Sequence, residues 1–144
     1  MSDLEMQSFK LNRGSYSLIL YLQIPKRISV GRLGEIDFPE GYYIYTGRAS
    51  RALAARLDRH LRKQKPLRWH IDYLTCDPDV RVEKIWIYAG PEAECTINQH
   101  WQRDAGMSVF ASGFGASDCQ EGCGSHLVYY SQKSFFNLEY PQNK

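Results

Sequence analysis

Two short glycine–tyrosine motifs lie in the first third of the chain, and their residue types suit chemistry at phosphorus. Gly14-Ser15-Tyr16 opens one β-rich segment, and Tyr45-Thr46-Gly47 closes a later one. A tyrosine hydroxyl can both donate and accept hydrogen bonds, so it can orient a water molecule against a phosphate. A glycine lets the backbone turn tightly or lets a phosphate approach closely. Taken singly, each tyrosine is equally well explained by packing in a half-buried strand.

The segment that follows the second motif concentrates the positive charge of the chain. Eight basic residues and a single acid occupy positions 48–68, so this segment carries a formal charge of +7 and the rest of the chain −5. Such segregation creates a local positive field, which suits a polyanionic partner. We therefore expect DNA contacts from five of these residues: Arg48, Arg51, Arg59, Lys63 and Arg68. A solvated basic helix without a partner is the alternative.

Within this basic segment, residues 51–64 predict a helix with Ser50 as its N-cap. Its apolar stripe consists of leucines that recur every four residues: Leu53, Leu57 and Leu61. Arg56, His60 and Lys63 project beside that stripe, which places a guanidinium and an imidazole at the edge of a predicted cleft. Arginine suits a phosphoryl group because its planar fork binds two oxygens and stays charged.

The elements that must position these residues follow from apolar periodicity and from glycine and proline. Strands are predicted over residues 15–23, 27–30, 35–38, 42–47, 83–90 and 126–132. Further helices are predicted over 68–75 and from Pro91 to about Arg103, and residues 106–125 are predicted to be loop-rich. This order predicts an α+β fold, a small mostly antiparallel sheet flanked by about three helices. We predict a single domain over residues 1–144, with a core from about 13 to 131.

A second group of candidate ligands lies late in the chain. Cys119, Cys123 and His126 form a Cys-x-x-x-Cys-x-x-His pattern, and Cys95 could supply a fourth ligand. Three cysteines and one histidine are a typical ligand set of structural zinc. A three-residue gap between cysteines is less diagnostic than Cys-x-x-Cys, so small buried thiols near a turn are the alternative.

Composition excludes several protein classes. A hydrophobic fraction of 43% and a charged fraction of 24% are near globular averages, which argues against disorder. The first residues lack the basic end and apolar stretch of a signal peptide, and no apolar run approaches the ~20 residues that span a membrane. We expect a cytoplasmic protein that does not bind membranes, with reduced cysteines.

The order Gly-x-Tyr, Tyr-x-Gly and a helix with Arg-x-x-Arg-His resembles the GIY-YIG nuclease superfamily. The segments FPEGYYIYTG, LRWHIDYL and GFGASDC…CGSHL resemble its Uri-type endonuclease branch, and the likeness runs from Gly14 to about Tyr130. The resemblance implies a divalent-metal-dependent endonuclease that cuts DNA. In such nucleases Tyr16 would place or activate the attacking water with support from Tyr45. Arg56 would neutralise the transition-state phosphate, and His60 is a candidate second contact.

The resemblance also implies one glutamate that holds Mg²⁺ (or Mn²⁺), on the helix after the third core strand. By position this residue is Glu94, with Glu92 as the runner-up. The alternative for Glu94 is an ordinary acid in a first helical turn, which the helix dipole favours. Ser15 and Thr46 stand where the family name has isoleucine, and neither side chain is expected to react.

Three functions are consistent with these patterns. The first is an endonuclease that hydrolyses DNA, including structured or damaged forms. The second is a non-catalytic nucleic-acid-binding module with the same cleft, and both predict DNA affinity that falls steeply with salt. The third is a zinc-stabilised interaction protein, which predicts stoichiometric zinc and no binding to DNA.

Overall fold

The computed structural model describes residues 12–88, 94–104, 106–116 and 122–131. Within these ranges seven strands and three α-helices confirm the predicted α+β class. The strands are β1 (Gly14–Leu22), β2 (Lys26–Val30), β3 (Gly34–Phe38), β4 (Gly41–Ala49), β5 (Val80–Tyr88), β6 (Met107–Val109) and β7 (Leu127–Tyr130). The helices are α1 (Leu53–Leu61), α2 (Asp72–Thr75) and α3 (Glu94–Arg103). None of the helices in these ranges is long and apolar enough to cross a bilayer.

Five strands form the main sheet, in the order β5-β1-β4-β7-β6, and every neighbouring pair is antiparallel. The register between β1 and β4 places Tyr16 opposite Gly47 and Leu18 opposite Tyr45. Residues two apart in a strand share one face of the sheet, so both tyrosines lie on the same face. Strand pairing therefore joins two motifs that are about thirty positions apart in the chain.

Each face of this sheet carries its own apolar core. On one face, alternate β1 residues such as Leu18 and Leu20 pack with Leu53 and Leu57 of α1 and with Leu74 of α2. On the other face, a second cluster combines sheet residues with α3, and its buried members are Ile19, Tyr42, Ile44, Ile97, Trp101 and Val128. The first two helices thus cover one face, and α3 covers the other.

The strands β2 and β3 form a ribbon of their own. They pair with each other and not with the main sheet, and a 3-10 helix over Gly31–Leu33 joins them. Their ends bury Val30 and Phe38 in the same core as α1 and α2. The two predicted strands are confirmed, and the ribbon adds a cover to that face of the sheet.

The predicted start of α1 is wrong. The helix begins at Leu53, and its N-cap is Ala52, in the left-handed region with φ of 55°, rather than Ser50. The side-chain oxygen of Asn12 accepts a hydrogen bond from the Ala52 amide (3.2 Å). The backbone oxygen of Asn12 accepts one from the Leu53 amide (3.0 Å). The segment before β1 therefore supplies the acceptors that a cap residue would otherwise supply. Leu61, predicted for the apolar stripe, is 48% exposed at the last position of the helix.

The second helix and strand β6 differ from the sequence prediction, and one predicted boundary is untested. The second helix is a single turn over Asp72–Thr75, because residues 69–71 form turns. The third helix is described from Glu94 onward, and its predicted start at Pro91 lies outside the described residues. Strand β6 was not predicted, since residues 106–125 were expected to be loop.

Candidate functional site

Tyr16 and Tyr45 lie together on the sheet face that α1 covers, and glycines make room for both rings. A Cβ atom on Gly47 would lie 2.8 Å from Tyr16 Oη and 3.1 Å from Tyr45 Cε2. A Cβ atom on Gly115 would lie 2.9 Å from Tyr45 Cε1. The glycine of the second motif is therefore required by close packing of the two tyrosines and not by a left-handed backbone.

The Tyr16 hydroxyl is hydrogen-bonded to the side chain of His60. Tyr16 Oη and His60 Nε2 are 2.7 Å apart, and both side chains are almost completely buried. Burial raises the pKa of Tyr16 to about 12, although the nearby charge of Arg56 opposes this shift. Burial also lowers the pKa of His60 to about 3, so both groups are neutral at neutral pH. Within the described part of the chain, the buried His60 Nδ1 has no hydrogen-bond partner.

Arg56 is held beside these rings by contacts that leave its charge unneutralised. Its Nη1 donates to the backbone oxygen of Arg48 at 2.6 Å, and its guanidinium carbon lies 4.8 Å from the centre of the Trp69 ring. Among the residues that the structure describes, no carboxylate lies within ion-pair distance of Arg56. The guanidinium is therefore oriented, and its positive charge is still available to an anion.

Arg59, for which a DNA contact is expected, is paired with a carboxylate inside the protein. Its two terminal nitrogens donate to both oxygens of the buried Asp72, at 2.9 and 3.0 Å. The backbone amides of Arg68 and Trp69 donate to the same carboxylate, at 2.8 and 2.9 Å. Burial raises the pKa of Asp72, but the hydrogen bonds from Arg59 and from these amides, with the Arg59 charge, outweigh it and lower the pKa.

Glu94 lies at the start of α3, and its charge reaches both tyrosines. It raises the pKa of Tyr16 and Tyr45, in each case as a smaller effect than burial. Its side chain is 33% exposed, and its Oε2 lies 3.7 Å from His126 Nδ1. The charges of Arg56 and Glu94 therefore both act on the two tyrosines, although α1 and α3 cover opposite faces of the sheet. Glu92 lies outside the described residues.

The other basic residues divide into two groups. Lys63 donates to the backbone oxygens of Asp77 and Val80, which orients its ammonium toward the protein. Lys65 likewise donates to the backbone oxygen of Arg59 and to the hydroxyl of Thr75. Its side chain is almost completely buried. Within residues 48–68, three exposed arginines form no ion pair with a described carboxylate: Arg48, Arg51 and Arg68.

Three of the four predicted zinc ligands come together. One ligand atom each from Cys95, Cys123 and His126 lies within 4.8 Å of the others, so these residues could hold a metal ion. Cys123 and His126 are buried, and Cys95 is partly buried. Cys119 lies outside the described residues.

Sequence reasoning missed the residues that position the arginines. Trp69 stacks under both Arg56 and Arg59, whose guanidinium carbons lie 4.8 and 4.4 Å from its ring centre. Asp72 then fixes Arg59 by two hydrogen bonds. The available signal was a pair of arginines three apart on a helix, followed by a tryptophan and an aspartate three apart in a turn.

Comparison with known proteins gives a family and no individual relative. No curated protein and no solved structure matches the chain significantly. Among protein families, residues 15–142 match the family described as "Domain of unknown function DUF123". This range includes Tyr16, the second tyrosine motif, the arginine helix and the late cysteines and histidine. Because the match spans most of the chain, the protein belongs to the DUF123 domain family.

Proposed function

We propose that this protein is a divalent-metal-dependent endonuclease that hydrolyses phosphodiester bonds in DNA, of the GIY-YIG type and its Uri-like branch. The observation that carries the proposal is that Tyr16 and Tyr45 pack together against Gly47, where the charges of both Arg56 and Glu94 act on them. Two hydroxyls, an unneutralised guanidinium and a carboxylate are the groups that phosphodiester hydrolysis requires at one place. They can orient water, stabilise negative charge and hold a cation.

Tyr16 acts on the attacking water by orienting it. With a pKa of about 12 the phenol stays protonated at neutral pH, and with a pKa of about 3 the neighbouring His60 is a weak proton acceptor. If the hydroxyl donates to His60 Nε2, its lone pairs can accept a hydrogen bond from water. Proton removal by Tyr16 would require its pKa to fall, and the charge of Arg56 already acts in that direction.

Arg56 stabilises the charge that develops on the phosphate. Its position is fixed by the Arg48 carbonyl and the Trp69 ring, so little reorganisation is needed when an anion binds. The guanidinium of Arg59 also packs on the Trp69 ring and so supports this arrangement. The charge of Arg59 itself is neutralised by Asp72.

The donor set of the site fits a hard divalent cation. Glu94 offers a partly exposed carboxylate, and the tyrosines add oxygen atoms nearby. Mg²⁺ prefers oxygen ligands and is commonly held by one or two carboxylates while it keeps several waters. When bound at Glu94, Mg²⁺ or Mn²⁺ would neutralise charge on the phosphate and on the leaving oxygen.

The exposed arginines would hold the DNA backbone. Arg48, Arg51 and Arg68 are exposed and flank Arg56 in the chain on both sides. Contacts of this kind bind phosphates without reading base sequence. Binding should therefore weaken steeply as salt rises and should depend on DNA shape more than on sequence.

The test is cleavage of a panel of structured and damaged DNA substrates in magnesium. We expect Arg56→Ala to lower the cleavage rate about 100-fold or more, since the loss of one such charge-stabilising donor costs about 10²–10³ in kcat. Glu94→Gln should lower it comparably. Arg62→Ala is the matched control, because Arg62 follows the same helix and is exposed and paired with Asp58.

A non-catalytic nucleic-acid-binding module is the second candidate, and one observation favours it. Tyr16 is only 1% exposed, and its hydroxyl is already bonded to His60, so water must compete for it. This candidate predicts salt-sensitive DNA binding that Arg56→Ala weakens, without cleavage of any substrate. If the wild-type protein leaves the whole panel intact while it retards DNA in a gel, the binding module replaces the nuclease.

A further inference from the structure

We infer that Cys95, Cys123 and His126 bind a zinc ion, at the junction of α3 with the segment that leads into β7. The three residues are separated by up to 31 positions in the sequence, yet their ligand atoms lie within 4.8 Å of one another. Two sulfurs and an imidazole nitrogen are soft donors, which select zinc over magnesium or calcium. This inference does not depend on DNA cleavage.

The distance between two of the ligand atoms already fits a tetrahedral zinc site. Zinc lies about 2.3 Å from sulfur and about 2.0–2.1 Å from nitrogen, so at a tetrahedral angle the two ligand atoms are about 3.6 Å apart. The distance from Cys95 Sγ to His126 Nε2 is 3.6 Å. A plain hydrogen bond between thiol and imidazole would also give this distance, but it would not account for the second sulfur beside them.

The proton of His126 is held on the nitrogen that faces away from the cysteines. His126 Nδ1 lies 3.2 Å from the backbone oxygen of Thr46, and a carbonyl can only accept. Nδ1 therefore carries the proton, and Nε2 presents its lone pair beside Cys95. Glu94 Oε2 lies 3.7 Å from the same Nδ1. A carbonyl or carboxylate behind a histidine is the usual support of a metal-binding imidazole, because it fixes the tautomer and raises the basicity.

The cysteine side of the cluster is also held in place before any metal binds. Gln99 Nε2 donates to Cys123 Sγ at 3.6 Å, which orients the sulfur. Gln102 donates to the Cys123 carbonyl at 3.0 Å, and Asn98 donates to the Ser125 carbonyl at 2.8 Å. These three amides fix one side of α3 against the segment that carries two ligands. A zinc ion would complete that junction and leave one coordination position for water or another group.

The experiment measures the metal content of the full chain, purified under reducing conditions without chelator. We expect one zinc per chain in the wild-type protein, and essentially none in Cys123→Ser and His126→Ala. Cys76→Ser is the matched control, because Cys76 is a partly buried thiol outside the cluster, and it should keep its zinc. Cobalt in place of zinc should give the thiolate-to-metal bands and strong visible bands of a tetrahedral site.

Several results would overturn the inference. One is a wild-type protein that contains no zinc after dialysis against a zinc solution. Another is an equal zinc content in Cys76→Ser and Cys123→Ser. A third is a disulfide between Cys95 and Cys123 under the same reducing conditions. If Cys123→Ser fails to fold, titration of wild-type thiols with a mercurial decides. Zinc released in step with the modified thiols supports the site, and thiols that react without release of zinc refute it. Loss of zinc is read directly, so it is distinguishable from loss of nuclease activity.

Discussion

Replacement of Gly47 by alanine is expected to destabilise the protein, although alanine is ordinarily the better residue in a strand. Where the backbone permits it, this change stabilises by about 0.4–1 kcal/mol, and Gly47 does not have a positive φ. The new methyl, however, would lie 2.8 Å from Tyr16 Oη and 2.9 Å from Tyr16 Cζ. Tyr16 is buried and bonded to His60, so it cannot move aside without loss of that hydrogen bond.

These opposing effects can be compared in magnitude. Overpacking of a core costs about 1–3 kcal/mol, and the loss of a buried hydrogen bond adds about 1 kcal/mol. After subtraction of the backbone gain, Gly47→Ala should lower the free energy of unfolding by about 1–3 kcal/mol. Cleavage should also fall, because the displaced group is the proposed water-orienting hydroxyl.

Urea denaturation of four proteins tests this: wild type, Gly47→Ala, Tyr16→Phe and the double variant. Phenylalanine lacks the hydroxyl that the methyl would strike first, so the double variant should lose less stability than the sum of the two single losses. Gly47→Ala that is as stable as wild type would refute the steric explanation. Strict additivity would show that the methyl and the Tyr16 hydroxyl do not meet.

Three further changes have expected outcomes. Asp72→Asn should lower stability by about 3 kcal/mol, since it breaks a buried ion pair with Arg59. Because the folded-state pKa of Asp72 is lowered, its contribution is full above the unfolded pKa of about 3.9 and is lost progressively as pH falls through the folded-state pKa. Wild-type and variant melting curves should therefore converge in strong acid. The pKa of His60 is lowered from 6.5 to about 3, so the unfolded chain binds an extra proton in that interval. The free energy of unfolding should therefore decline as pH falls below about 6.5. His60→Gln should reduce that decline. A variant with the same pH profile as wild type would contradict the burial of a neutral imidazole. Trp69→Ala should lower DNA cleavage more than Trp69→Phe, because only an aromatic ring can stack on the Arg56 guanidinium; equal losses would rule out stacking as the positioning contact.

The strands were predictable where apolar and β-forming residues recur on one or both sides of the strand. Tyr16, Leu18 and Leu20 face the core under α1, and Ile19 faces the second core, so β1 appears in the sequence as a run of β-forming residues. Strand β6 was not visible, since it has three residues, two of them exposed, and forms only by pairing with β7. The start of α1 was also hidden, because its cap comes from Asn12, forty positions before Ala52.

The sequence could suggest candidate site residues but not the contacts that they make. Tyr16 and Arg56 were indicated by the order Gly-x-Tyr, Tyr-x-Gly and Arg-x-x-Arg-His, which resembles the GIY-YIG superfamily. Charge counting could not tell which cations are already used within the protein, since that depends on long-range acceptors such as Asp72 for Arg59. Local sequence patterns also could not show which face of the sheet each helix covers.

The two outer strands of the main sheet have a consequence for assembly. A strand at the edge of a sheet presents unpaired amides and carbonyls, and an exposed apolar edge invites another chain to pair with it. Here β6 is only three residues long, and β5 carries exposed charged side chains at Arg81, Glu83 and Lys84. Among the described residues, both borders of the sheet therefore carry features that disfavour its extension by a strand of a second molecule.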